Sequence, residues 1–225
     1  SLTGGSISIS ATSTVTASDT GTGLRLATLQ SQGQVIIDNA SHLTSSGAIS
    51  ITAGSSVTST ITAQATTVGS TSVDAAVATA IVTSTAIAHV AGSLAATGTI
   101  GITATNTVQV TTTGDGTTGG SSGSGGVLAT AIVTGVTQAY FDGSGPVSGS
   151  VVNVSATSIN NVPTTAKSTT KGATQNNSGN EPNTKTEGNS STSEGTLSVA
   201  AALAFTKLSS QTQAWLAPAS ATITA

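Results

Sequence analysis

The chain has 225 residues but only two Phe, one Tyr and one Trp, with no Met and no Cys. That excludes a large round core, disulfides, thiolate chemistry and the usual structural zinc sites. Five basic and eight acidic residues are too few and too scattered for a nucleic-acid footprint or a polybasic anchor, and no apolar run is long enough for membrane insertion.

The first predicted strand is Gly5-Ser6-Ile7-Ser8-Ile9-Ser10-Ala11, in which a glycine turn leads into alternating aliphatic and small hydroxyl residues. Such alternation marks a half-buried strand. The phrase returns at Gly47 to Ala53, where Ile49, Ile51, Ala53, Val57 and Ile61 share one parity and Ser50, Thr52, Thr58, Thr60 and Thr62 the other. One face is therefore expected inside and the other in water. The Ala-rich segment Ala75 to Val90 sets helix propensity against its many Val, Ile and Thr residues, and strand is favoured. A third copy of the phrase runs from Gly98 to Ala104, followed by the glycine tract Gly114 to Gly126, read as a surface excursion. Another Ala/Val strand, Ala129 to Thr134, leads into Thr137-Gln138-Ala139-Tyr140-Phe141 and then a looser copy of the phrase, Gly149 to Ala156. Residues 163–195 break the pattern, with Lys167, Lys171, Glu181, Lys185, Glu187 and Glu194 among polar residues. That stretch is predicted to be a long solvated loop. Strand character resumes at Val199 to Leu208, continues through Thr212-Gln213-Ala214-Trp215-Leu216 and ends at Ala221 to Ala225.

Two unrelated phrases share one offset: Gly47 to Ala53 and Ala78 to Thr83 both return 51 positions later. The units are read as 1–22, 23–71, 72–125, 126–195 and 196–225, the outer two incomplete. The predicted fold is all-β, a parallel β-helix (β-solenoid) built from roughly 50-residue double-turn repeats. Residues 1–225 are taken as a single β-solenoid segment, part of a longer chain, with the polar loop at 163–195. Eight or nine turns at about 4.8 Å each would make a rod roughly 40 Å long.

No reaction centre is apparent, so no catalytic, cofactor-binding or metal-ligating residue is assigned, no cofactor is expected, and the chain is read as not an enzyme. Asp38, Asp74, Asp115 and Asp142 stand singly, mostly beside Gly or small polar residues, and read as turn aspartates. Arg25 has no neighbouring carboxylate in sequence, and His42 and His89 occupy different places in the unit. Both histidines are expected to be solvated or packed rather than ligands. The sequons at Asn39, Asn153, Asn176 and Asn189 decide little in so Ser/Thr-rich a chain. Tyr140 and Trp215 share a repeat position with His89, which favours packing in a core otherwise made of small residues over a sugar-binding platform.

The order of phrases from Val127 to Val162, VLATAIVTGVTQAYFDGSGPVSGSVVNVSATSINNV, resembles the repeats of very large bacterial surface proteins of the haemagglutinin-like and autotransporter-adhesin type. The resemblance implies a secreted β-solenoid used as a stalk or adhesive fibre. The expected function is a non-catalytic extracellular structural and adhesive rod segment or filament subunit on a bacterial surface. Its expected partner is itself, by end-to-end strand stacking, with no nucleic acid involved. The alternative is glycan or host-surface binding through the 163–195 loop. Ice binding by the outward row Thr52, Thr58, Thr60 and Thr62, which does not recur in every unit, and polysaccharide-active enzymes of the same fold rank lower.

Overall fold

The computed structural model describes residues 1–68, 72–119, 123–169, 189–192, 199–217 and 223–224. Among them every regular element is a strand. In chain order these are β1 (Leu2–Gly4), β2 (Ile7–Thr22), β3 (Leu24–Ile37), β4 (His42–Ser45), β5 (Ile49–Val68), β6 (Ser72–Val90), β7 (Ser93–Ala96) and β8 (Thr99–Gly119). Then follow β9 (Gly123–Phe141), β10 (Val147–Ser148), β11 (Val151–Asn161), β12 (Thr164–Thr169), β13 (Asn189–Thr192), β14 (Val199–Leu216) and β15 (Ile223–Thr224).

All described pairings are parallel and fall into three sheets. Sheet I is short, in the order β1-β4-β7-β10-β15; sheet II is β13-β12-β8-β5-β2 with β11 also on β8; sheet III is β14-β9-β6-β3. The chain visits sheets I, II and III in turn and then starts again one layer higher. This all-β stack of parallel sheets is compatible with a β-solenoid or β-helix.

The register corrects the expected repeat. Ile49 lies opposite Ile100 and Ala78 opposite Ala129, so the 51-residue offset is one circuit of the three sheets, not two turns. The reason is strand length: β5 runs for 20 residues and β6 for 19, because alternation persists well past the short phrase. Each long strand spans about 65 Å, and four stacked layers are about 15–20 Å thick. Among the described residues, the predicted rod of eight or nine narrow turns is replaced by four broad, flattened circuits, with β15 on β10 opening a fifth.

The inner faces of sheets II and III make the core in two apolar clusters. One holds Ile49, Ile51, Ile100 and Ile102 with Ala86, Ala88, Val90 and Phe141, closed at its end by Leu43, Leu94 and Val147 of sheet I. The other holds Val57, Ile61, Ala63 and Val108 with Ala76, Ala78, Ala80 and Val133. The Ala-rich segments are strands as expected, and Ala76, Ala78, Ala80, Ala86 and Ala88 all point inward with no exposure. A face of methyl groups lets the two long sheets approach closely.

Two glycine roles explain the phrase boundaries. Gly23 turns β2 into β3 with a φ of 78°, a conformation that costs other residues a Cβ clash. The leading glycines of the repeated phrase stack on one another: Gly98 N–H donates to Gly47 O at 2.9 Å, and a Cβ on Gly47 would run into Gly5 O.

Two expected loops are corrected. The glycine tract lies mostly in strands, since β8 continues to Gly119 and β9 starts at Gly123. Gly114 and Gly116 face inward, where Val127 of β9 takes the space their side chains would need. The polar insertion does not begin at 163: Thr164–Thr169 forms β12 in register with Thr112–Thr117, and Asn189–Thr192 forms β13 beside it. Residues 170–188 and 193–195, the greater part of the predicted loop, lie outside the described residues.

Candidate functional surface

Because the strands stack in register, any residue type that recurs every circuit becomes a column on the surface. On the outer face of sheet II one column is Ser10, Thr52, Thr103 and Ser155, and another is Thr20, Thr62, Thr113 and Thr165. Between them Ser18, Thr60 and Thr111 stand in line. Charge enters this face at Asp115 and Lys167, which share a position near the far end. Asp115 was expected in a turn; it lies within β8 and faces outward, because the glycines on either side point into the core.

The outer face of sheet III is different. Leu24, Val77, Leu128 and Leu203 form one column and Ile36, His89, Tyr140 and Trp215 another. Leu24 is 69% exposed and Leu203 61%, with Leu26, Ile36, Ile81 and Phe205 also exposed.

The aromatic column shows packing, but not in the core. His89 and Tyr140 stack with centroids 4.4 Å apart, and Tyr140 and Trp215 at 4.2 Å with a 4° tilt. Their neighbours Val90, Phe141 and Leu216 take the inward direction instead. Alternation puts one residue of each Tyr-Phe pair inside and one outside, and the polar-tipped ring goes out. His89 Nε2 also meets Asp142 Oδ1 at 2.7 Å, and the Tyr140 hydroxyl is pushed up from its ordinary value by burial and by the Asp142 charge. Asp142 is thus partnered across circuits rather than a lone turn residue.

His42 Nδ1 lies 2.5 Å from Ser93 Oγ, one layer up. Asp38 sits in a turn as expected, its carbonyl accepting from Ser41 N–H at 2.9 Å. The side chain of Asp74 and the sequons at Asn176 and Asn189 lie outside the described side chains, whereas Asn39 and Asn153 are exposed. Arg25 does find a carboxylate: its Nη1 is 3.3 Å from Asp19 Oδ1. Both face inward at the first circuit, where the core is open on one side, and Arg25 fills the space beside Gly21.

Sequence reasoning missed a polar seam through the middle of the core. Ser31 Oγ lies 3.0 Å from Ser13 Oγ, Ser55 Oγ 2.8 Å from Ser31 Oγ and 2.7 Å from Ser84 Oγ, and Ser84 Oγ donates to Asn106 Oδ1 at 2.6 Å. Asn106 Nδ2 returns a bond to Ser84 O at 3.2 Å. The chain of bonds zigzags between sheets II and III and separates the two apolar clusters. The signal was present: Ser13, Ser55, Asn106 and Ser158 share one register position on the otherwise aliphatic parity.

No protein-family model, curated protein or solved structure matches this chain. The likeness to haemagglutinin-like repeats rests on the phrases quoted above.

Proposed function

We propose that this chain is a segment of a non-catalytic β-solenoid, a structural and adhesive rod or filament subunit on a bacterial surface, which lengthens by stacking a further circuit or a second copy on its open layers. The observation that carries this reading is the match between the two outermost layers. Among the described residues, nothing pairs with the outer edge of β2 and β3 on one side or of β11 and β14 on the other. Inward positions on the two sides nevertheless belong to the same columns: Ile7 with Val152, Ile9 with Val154, Ala11 with Ala156 and Ser13 with Ser158. A layer like β2 laid on β11 would extend these four columns with like residues, although Val15 would then lie over Asn160, and would satisfy the free strand edge. Low net charge leaves little repulsion against such growth.

Sedimentation velocity over a wide concentration range, with electron microscopy of the heaviest species, tests the stacking. The chain should form concentration-dependent end-to-end species, and Val154→Lys, which places a charge where the next layer must sit, should leave it monomeric. A wild-type chain that stays monomeric at the highest concentration rejects stacking between copies.

A further inference from the structure

We propose that the outer face of sheet II binds the surface of ice. The ligand is identified by the chemistry of the face, which is a two-dimensional array rich in hydroxyl and methyl groups, interrupted at Gly54, Gly101, Gln109, Asn153, Ile159 and Asn161. Residues β5 Ile49–Val68 and β8 Thr99–Gly119 pair over 20 successive positions without a bulge. Outward side chains therefore repeat about 4.8 Å apart across strands and about 6.6–6.8 Å apart along them. The Ser10/Thr52/Thr103/Ser155 and Thr20/Thr62/Thr113/Thr165 columns carry a hydroxyl in every described circuit. The full row Thr52, Thr58, Thr60 and Thr62 does not recur in every circuit, as expected, since Gln109 and Asn161 follow Thr58 in its column.

Threonine suits this task for a physical reason. Its β-branch holds χ1 in few rotamers, so the hydroxyl and methyl keep their places before binding and little side-chain freedom is lost on contact. Hydroxyls spaced as a lattice stand in for water positions of the first ice layer, and the methyls between them shed loosely held water. Charged groups would hold their own hydration shells against such a layer, and the columns from Ser8 to Thr62 contain none. Crystalline polysaccharide fits less well, because sugar rings pack on aromatic faces and the stacked rings of this chain lie on sheet III.

The test compares two double substitutions in the full chain. Thr60→Lys with Thr111→Lys changes adjacent positions on the outer face of sheet II; Thr83→Lys with Thr134→Lys makes the same change at exposed adjacent positions on sheet III. Labelled protein is partitioned into a slowly growing ice hemisphere, and recrystallisation inhibition is scored beside a circular-dichroism melt. Wild type and the sheet III variant should enter the ice, while the sheet II variant should lose at least about tenfold, as steric and charge clashes on a binding face do. If the lysine pair fails to fold, Thr60→Val with Thr111→Val keeps the branched shape and carries the test. Reduced partition then supports the hydroxyl lattice, and unreduced partition overturns it. Exclusion of wild type from ice, equal behaviour of the two lysine variants, or retention on cellulose with none on ice also overturns the proposal.

Discussion

Ile51 and Ile9 occupy the same column, are the same residue and sit in the same kind of strand, yet Ile51 has no exposure while Ile9 is half-buried. Ile51 has a layer on both sides; Ile9 has one on a single side. Burial in this molecule is thus set by a residue's place in the stack more than by its own identity. The middle circuits form a finished core, and the outer described circuits form half of one. Phe141 and Leu216 repeat the lesson at the other side, the first fully buried and the second 39% exposed in one shared column.

The largest expected effect tests this contrast directly. Phe141→Ala should cost about 3–5 kcal/mol in a denaturant titration, the range for emptying a packed aromatic site, whereas Leu216→Ala should cost less than about half of that. The cost of Leu216→Ala should also rise with protein concentration if layers stack on the open side, since stacking would bury Leu216. Equal costs at low concentration would break the contrast between inner and outer circuits.

The polar seam gives the next sharpest comparison. Asn106 is buried and holds two bonds to Ser84. In the outer layer, the half-buried Asn160 donates to Ser158 Oγ at 3.0 Å and Ser210 Oγ at 3.3 Å, while its Oδ1 is buried without a partner. Asn106→Ala should cost about 1–3 kcal/mol by leaving buried polar groups short of partners. Asn160→Ala should cost less than about 0.5 kcal/mol, because removing its buried, unpartnered Oδ1 offsets most of the two lost amide bonds. A similar loss from both would show that the seam does not depend on layers above and below.

The aromatic column carries a smaller stake. Tyr140 has a ring on each side, and Trp215 stacks on one. At about 0.5–1.5 kcal/mol per stacked pair beyond burial, Tyr140→Ala should destabilise more than Trp215→Ala. Trp215 is the only tryptophan, so its fluorescence should also change on substitution of Tyr140.

The strands and their inward parity were legible because period-2 alternation survives even in a chain of small residues, as at Ile49, Ile51 and Ala53. The 51-residue offset was legible too, but its meaning was not. A repeat length counts residues per structural period and does not say how often the chain bends within it. Residues 69–71 and 120–122, between β5 and β6 and between β8 and β9, lie outside the described residues, and no proline stands among them. Glycine misled in the opposite direction: Gly114 and Gly116 look like loop formers, yet they serve the core by leaving room for Val127. The His89–Asp142 contact was missed although His89 aligns with Tyr140 in the sequence, because Asp142, two residues further on, reads as a turn residue of its own circuit.

The smallest effect concerns pH and isolates one side chain of the aromatic column. Burial first and the Asp142 charge second hold the Tyr140 hydroxyl above its ordinary value. The folded state therefore keeps this proton to higher pH than the unfolded chain does. Below the unfolded value of about 10 both states are protonated and the contribution is intact; as pH rises through that value and on through the folded one, stability falls. The thermal midpoint of wild type should decline above about pH 10, and Tyr140→Phe, which keeps the ring stack and removes the acid, should flatten that decline. Asp142→Asn should flatten part of it, because the charge that opposes ionisation is gone while the burial of the ring remains. An alkaline profile identical in all three proteins would mean that the column senses neither its burial nor its neighbour's charge.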